Sequence, residues 1–354
     1  MRRLYFSLFV LACLCALAAC SGDKSGQNRH QNLEDDIDNT SKPVNYVFSL
    51  FTNTGKDGYQ IYRNSDKFVF FNIDESRRVV DMRAYNGDCY LLISEGMRDS
   101  VPVPAEIYKN GRPAIAFDRD FSAVDFDMEG GHFYVLGHYG DTVTVVFKDG
   151  ARVFSTGYSS ERPPVAVSIS GQDIYMALQG ENSVDVYKND TKVYTYDGKC
   201  VDLRVSMLGI FMLAEDNLYR DSESIMKQEY YRYADKEMLA YPSFISLSER
   251  NCFVGSRSHI LNHDEKYYAC VFLNRQSYLT VKPDDKPIGV SPSQTYCAGV
   301  AICNEDVYTA VVKLNENGEP VQPLVYTYYF DNAEIFDMEF ATDAKLLFME
   351  SIVI

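Results

Sequence analysis

Fifty acidic residues against five histidines make this 354-residue chain rich in carboxylates and poor in nucleophile–base pairs. Asp81, Asp125, Asp202 and Asp337 recur at one position of a repeated apolar segment. A ring of such carboxylates could hold Ca²⁺ or meet a cationic ligand. Recurrence points the other way, because a group used once per repeat generally satisfies backbone donors in each repeat. Ala166 and Ala301 take the position elsewhere, so the ring would be incomplete. Asp118 and Asp120 have the look of a glycosidase acid–base pair, yet so acidic a chain offers many such pairs. His132 and His138 fall on one face of an expected strand, and a turn signal interrupts His259 and His263. Neither G-x-S-x-G nor G-x-x-x-x-G-K-[ST] occurs. No C-x-x-C pair supports zinc. The expectation is no catalytic residue, no metal and no cofactor.

Residues suited to contact are easier to find. Tyr230, Tyr231, Arg232 and Tyr233 form a dense run, followed by Tyr241, Tyr267 and Tyr268. Tyrosine offers large, stiff contact area with a polar tip. Packing on a neighbouring sheet is the alternative use of the same residues. His138 and Arg162 add polar contacts, or are solvated loop residues. Cys89, Cys200, Cys252, Cys270, Cys297 and Cys303 lie outside the N-terminal region. Cys252 and Cys270 are the candidate disulfide if the chain is exported; buried thiols on strands are the other reading.

The elements that position these residues begin with an export signal. Arg2 and Arg3 precede an apolar run over residues 4–17, too short to span a membrane and typical of a signal-peptide core. Leu17-Ala18-Ala19-Cys20 resembles the lipobox of bacterial lipoproteins, which implies cleavage after residue 19 and lipidation of Cys20. Multiple acyl chains then give stable anchoring. Residues 20–44 are polar and read as a tether, with ends averaging about 27 Å apart as a flexible coil. Some known lipoproteins carry an acidic cluster right after the cysteine that sends them outward. Here it starts only at Glu34, so the periplasmic and surface sides of a bacterial outer membrane both stay open. The net charge of −16 argues against nucleic acid as a partner and against a membrane contact other than the lipid.

Residues 45–354 carry a repeat. Ile107-Tyr108-Lys109-Asn110-Gly111, Val146-Phe147-Lys148-Asp149-Gly150 and Val186-Tyr187-Lys188-Asn189-Asp190 are copies of one hairpin signal, with Ile61-Tyr62-Arg63-Asn64-Ser65 before them and Leu218-Tyr219-Arg220-Asp221 after. Asn and Asp tolerate the positive φ that closes two-residue hairpins. A second strand pair follows each, as in Val165-Ala166-Val167-Ser168-Ile169 leading into Ile174-Tyr175-Met176-Ala177. About seven copies recur at a spacing near 44 residues, the pattern of a β-propeller. No stretch but 225–239 shows helical periodicity. The expected fold is all-β, a propeller of seven four-stranded blades, with six or eight also compatible. Residues 334–340 are expected to supply the first strand that residues 46–71 lack.

The hairpin Tyr108-Lys109-Asn110-Gly111 and the pair ending in Asp173-Ile174-Tyr175-Met176-Ala177 resemble propeller-like lipoproteins of gut anaerobes, most without an assigned activity. The resemblance implies fold and envelope location only. Tight turns should line one face of the ring, and long connections (94–104, 157–164, 221–242, 256–265, 313–322) the other. Long loops on a rigid scaffold commonly carry binding. The expected function is therefore a non-enzymatic envelope module that binds a protein or glycan through its long-loop face, using Tyr230–Tyr233, Tyr267, His138 and Arg162. A carbohydrate-active or phosphate-releasing enzyme is the alternative.

Overall fold

Four apolar stretches per repeat cannot bury both faces of their sheet alone, so the sheets must stack on one another. The computed structural model describes residues 45–354 apart from 228, 234–235, 248–251, 261–266, 274–275, 282–293, 304–305, 316, 318, 331–332 and 354. Cys20 and the tether lie outside the described residues. Every element described is a strand, and the fold is an all-β propeller. The helical periodicity of 225–239 is not used: Glu223–Lys227, Glu229–Tyr233 and Lys236–Leu247 are strands.

Phe121–Glu129, His132–Tyr139, Val143–Lys148 and Ala151–Gly157 show the plan, an antiparallel meander running outward from the axis. The innermost strands contact one another in succession: Val79–Tyr85, Phe121–Glu129, Pro164–Ser170, Cys200–Ser206, Lys236–Leu247, Gln294–Cys303 and Lys345–Val353, which meets Val79–Tyr85 again. Among the described residues six sheets have four strands and one has five. The expectation of identical four-stranded units is corrected there, because Glu229–Tyr233 pairs with the first half of Lys236–Leu247. A small hairpin, Gly96–Arg98 with Val101–Val103, is inserted between Asp88–Ile93 and Glu106–Lys109.

Ring closure differs from expectation as well. Ala333–Phe340 is the outermost strand of the sheet it follows in sequence. Lys345–Val353 instead pairs with Asn45–Thr52, placing Tyr46 opposite Ile352 and Leu50 opposite Phe348. Burial explains the choice. Ala333–Phe340 is mostly exposed, as suits an outer strand, whereas Leu346, Met349, Ser351 and Ile352 are all buried. The closing interface is aromatic: Phe51 lies 4.9 Å from Tyr326 and 4.8 Å from Phe340. Tyr328 donates to Ser49 Oγ at 2.8 Å inside it. Such aromatic pairs contribute about 0.5–1.5 kcal/mol each beyond burial.

Two local devices repeat. In every innermost strand the register slips by one residue, as between Val79 and Asp81 or Ala123 and Asp125. Such bulges bend a strand and re-aim the side chains that follow. At the outer hairpins Asn64, Asn110, Asp149, Asn189 and Asp221 all have φ near +50°. Their side-chain oxygens accept from Val47, Cys89, Phe133, Ile174 and Ile210 N–H at 2.9–3.1 Å. The preceding base covers an aromatic ring on the second strand, as Lys109 does Tyr90 and Lys188 does Tyr175. The aromatic-base-Asn signature is thus a clamp joining three strands.

Candidate axial site

Side chains two apart on a strand share a face. Two positions beyond Asp81, Asp125, Ala166 and Asp202 stand Arg83, Asp127, Ser168 and Arg204. These four line an axial chamber of about 300 Å³ together with Glu350 of the closing strand. All seven innermost strands contribute to its wall, through their ends beside the tight turns (Tyr85, Met128, Ile169, Val205, Leu247 and Ile302 among them). The chamber therefore sits in the half of the ring that the sequence assigns to structure alone.

Arg83 organises the chamber. Its Nη1 lies 2.6 Å from Asp81 Oδ2 and 3.4 Å from Glu350 Oε1, and its Nε lies 3.3 Å from Asp127 Oδ1. Nη1 also donates to the Met82 carbonyl at 2.9 Å. Arg204 pairs through Nε with Asp202 at 3.1 Å. The other carboxylates serve the backbone. Asp125 accepts from Val167 N–H at 2.8 Å, Asp127 from Ile169 at 2.9 Å and Glu129 from Gly171 at 2.7 Å. Ser168 Oγ accepts from Val205 N–H at 3.0 Å, continuing the scheme around the ring. The edge of each innermost strand would otherwise leave donors unsatisfied beside the axis.

Crowding shifts these groups. Burial pushes Glu350 up to about 7, against the pull of Arg83 and Arg204, and Asp81 and Asp127 raise it further. Burial lifts Asp125 well above the usual carboxylate range, and neighbouring Asp81 adds to this. Asp81 is raised by burial, with Arg83 and Arg204 opposing. Burial works against the Arg83 guanidinium, but Asp81, Glu350, Asp127 and Asp125 outweigh it and hold the charge firmly. Asp337 does not join this group, because it lies on the outer strand Ala333–Phe340. Its place in the recurring series is corrected. Among the described residues no three His, Cys, Asp or Glu side chains are arranged to hold a metal.

The residues expected to make contacts fall into two separate groups. Tyr230, Tyr231, Arg232 and Tyr233 form the fifth strand, neither a loop nor a fourth strand. Backbone register runs from Tyr230 through Leu239 and His259 to Tyr267, so Tyr230 and Tyr267 share a row across four strands. They stand three strand spacings apart, about 14 Å. His138 and Arg162 belong to other sheets. The His138 ring stacks on Tyr158 at 4.6 Å, and Nδ1 donates to the Gly140 carbonyl at 2.8 Å. Arg162 forms an ion pair with buried Asp185, which Lys192 Nζ and Thr195 Oγ1 also hold at 2.8 and 2.6 Å. That gives Arg162 a structural task.

The Cys252–Cys270 bridge is corrected by register. Cys270 lies opposite Ser256, four residues along the neighbouring strand from Cys252. That is roughly 13 Å of strand, beyond disulfide reach. Asp118 accepts from the Tyr139 hydroxyl at 2.5 Å. Burial, reinforced by Asp118, pushes Tyr139 up to about 12. Sequence reasoning passed over Arg83, Asp127, Ser168, Arg204 and Glu350. The signal available was the i+2 spacing from the recurring aspartate register.

No protein-family model matches the chain, and no curated protein matches it. Among solved structures it is similar to apo AztD from Citrobacter koseri at 10% identity and TM-score 0.44, covering 88% of this chain and 99% of that one. A structure of BBS1N in complex with ARL6DN gives 9% identity and TM-score 0.43, covering 73% and 81% respectively. The β-propeller domain of Cps50 (Swd1) from Myceliophteria thermophila gives 10% and 0.34, covering 84% and 88%.

Proposed function

We propose that the chain is a lipid-anchored protein of the bacterial cell envelope whose propeller is a non-enzymatic binding or scaffold module for a protein or glycan. Counted with its five-stranded sheet, the ring has seven blades. Cleavage after residue 19, lipid on Cys20 and a tether over 20–44 would hold this ring to the outer membrane. One observation carries the binding reading. Both additions to the four-strand plan, the hairpin Gly96–Arg98 with Val101–Val103 and the strand Glu229–Tyr233, stand on the long-connection side of the ring. The hairpin exposes Met97 and Val101 at 48% and 55% while its base is tied down. Arg98 grips Asp74 at 2.9 Å and Ser76 exchanges hydrogen bonds with Met97 at 3.0 and 2.7 Å. Apolar side chains on a rigid arm favour a contact surface.

The test has two arms in living cells. Metabolic labelling with an alkynyl fatty acid should mark the protein and be lost in Cys20→Ser. A photo-crosslinking residue at position 97 or 231 should yield a discrete adduct, and one at exposed Met207 on the opposite side should not. Label persisting in Cys20→Ser sinks the anchor, and equal adducts from all three positions sink the face. A second reading, a carbohydrate-active or phosphate-releasing enzyme, is favoured by one feature. Glu350, shifted to about 7 beside Arg83, could exchange a proton near neutrality. Turnover of a glycoside or phosphate ester that Glu350→Gln abolishes would select it.

A further inference from the structure

The axial chamber holds polar groups whose bonding capacity the protein does not use. Arg204 spends only Nε, on Asp202, and among the described residues nothing pairs with its two terminal nitrogens. Arg83 likewise leaves Nη2 without a partner, while its side chain is only 9% exposed. Ser168, 3% exposed, accepts a bond through Oγ, and among the described residues no acceptor takes its own proton. Glu350 engages Arg83 through Oε1 and keeps Oε2 available. Donors and an acceptor thus converge on one space, lined elsewhere by the strand ends at Ser246 and Ala301, which bring no charge.

Charge decides which ligand these groups suit. Five carboxylates (Asp81, Asp125, Asp127, Asp202 and Glu350) surround two guanidiniums. An anion reaching the Arg204 fork would be repelled by the acids around it. A cation would find the free valences to be mostly N–H and O–H donors, which cannot accept from it. A neutral molecule with adjacent hydroxyls meets neither objection. It accepts from Arg204 and Ser168, donates to Glu350, and brings no ion to desolvate. Size sets the other limit. A chamber of about 300 Å³ is at the lower end for small-molecule sites, room for one six-membered ring with its hydroxyls.

We infer that the axial chamber is a binding site for a neutral polyhydroxylated ligand, a single sugar unit, hydrogen-bonded by Arg204, Ser168 and Glu350. The site is separate from the long-connection face and stands whether or not that face binds a partner. The sugar arrives either free or as the end unit of a glycan. Both sources present the same ring.

The experiment titrates full-length protein in detergent by ligand-observed NMR with glucose, galactose, mannose, N-acetylglucosamine and their methyl glycosides. Glucuronate and glucosamine serve as anionic and cationic versions of the ring. At least one neutral sugar should bind at millimolar concentration or below. Arg204→Gln and Ser168→Ala should each weaken it about tenfold, the effect of one lost bond to a charged or buried group. Arg204→Lys keeps the charge but loses the planar fork, and should weaken binding similarly if Arg204→Gln does not fold. Asp190→Ala, on an exposed outer hairpin, should leave affinity unchanged. Equal binding of the methyl glycoside identifies a glycan end, and its loss identifies a free sugar; either upholds the site. The inference is overturned if no neutral sugar binds, if only glucuronate or glucosamine does, or if the Arg204 and Ser168 variants bind like the parent protein.

Discussion

Glu350 ties the closing strand to its neighbour and carries a pH dependence of its own. It sits on the last strand, and its Oε1 reaches Arg83 on the Val79–Tyr85 strand, across the seam where the ring meets itself. Its folded pKa, about 7, is above the usual glutamate value. The folded state therefore binds more protons than the unfolded state between those two values. By linkage this contribution is full below the unfolded pKa and is lost as pH rises through about 7. With the side chain 28% exposed, a shift of this size is worth about 2 kcal/mol after screening. Thermal melts of the parent protein should show falling stability from about pH 5 to 8. Glu350→Gln, fixed in the neutral form, should flatten that slope and melt above the parent near pH 8. A parallel slope in the variant would mean another group carries the dependence.

Among the elements, the outer hairpin is the one whose sequence and geometry agree most closely. Asn189 adopts φ 53°, accepts from Ile174 N–H at 3.0 Å and donates to Asp173 at 3.1 Å. Lys188 beside it lies 2.7 Å from the same aspartate and over Tyr175. Asn189→Ala loses the side-chain bonds and places an alanine in the left-handed region. The expected cost is about 2 kcal/mol in urea denaturation. Asn189→Gly keeps the backbone free but loses the bonds, so it should fall between the two. Asp190→Ala, at the exposed next position, should change stability by less than about 0.5 kcal/mol. A ranking that put Asp190→Ala with Asn189→Ala would show that the clamp does not act as described.

At the scale of the molecule, the C-terminal strand decides whether the sheets form a ring. Removing residues 345–354 exposes Phe48, Leu50 and Phe51 on one side of the seam and strips Arg83 of Glu350. Cooperative unfolding should be lost and a hydrophobic dye should bind. Adding a peptide of residues 344–354 in trans should restore part of the transition. A circular permutant carrying 344–354 and a two-residue Asn-Gly linker ahead of residue 45 should melt close to the parent, because it keeps the pairing and shortens its connection. Unaltered melting of the truncated chain would remove the closing strand from the account.

The sequence by itself determined the strand repeat, the all-β class and the hairpin clamps, because turn chemistry and alternation act over a few residues. It also placed His132 and His138 on one strand, as found in His132–Tyr139. It misassigned the closing strand, since residues 334–340 and 345–353 both read as strands. Which one lies innermost depends on having neighbours on both faces, a property of the assembled ring. The fifth strand was hidden for a similar reason: Tyr230–Tyr233 have strand character, but no local signal names their partner. The axial site was the least legible. Arg83, Ser168, Arg204 and Glu350 are spread over 268 positions, 83 to 350, and each looks ordinary in its own strand. Only closure of the ring brings them into one low-dielectric space, where their charges perturb one another and their unused bonds point inward.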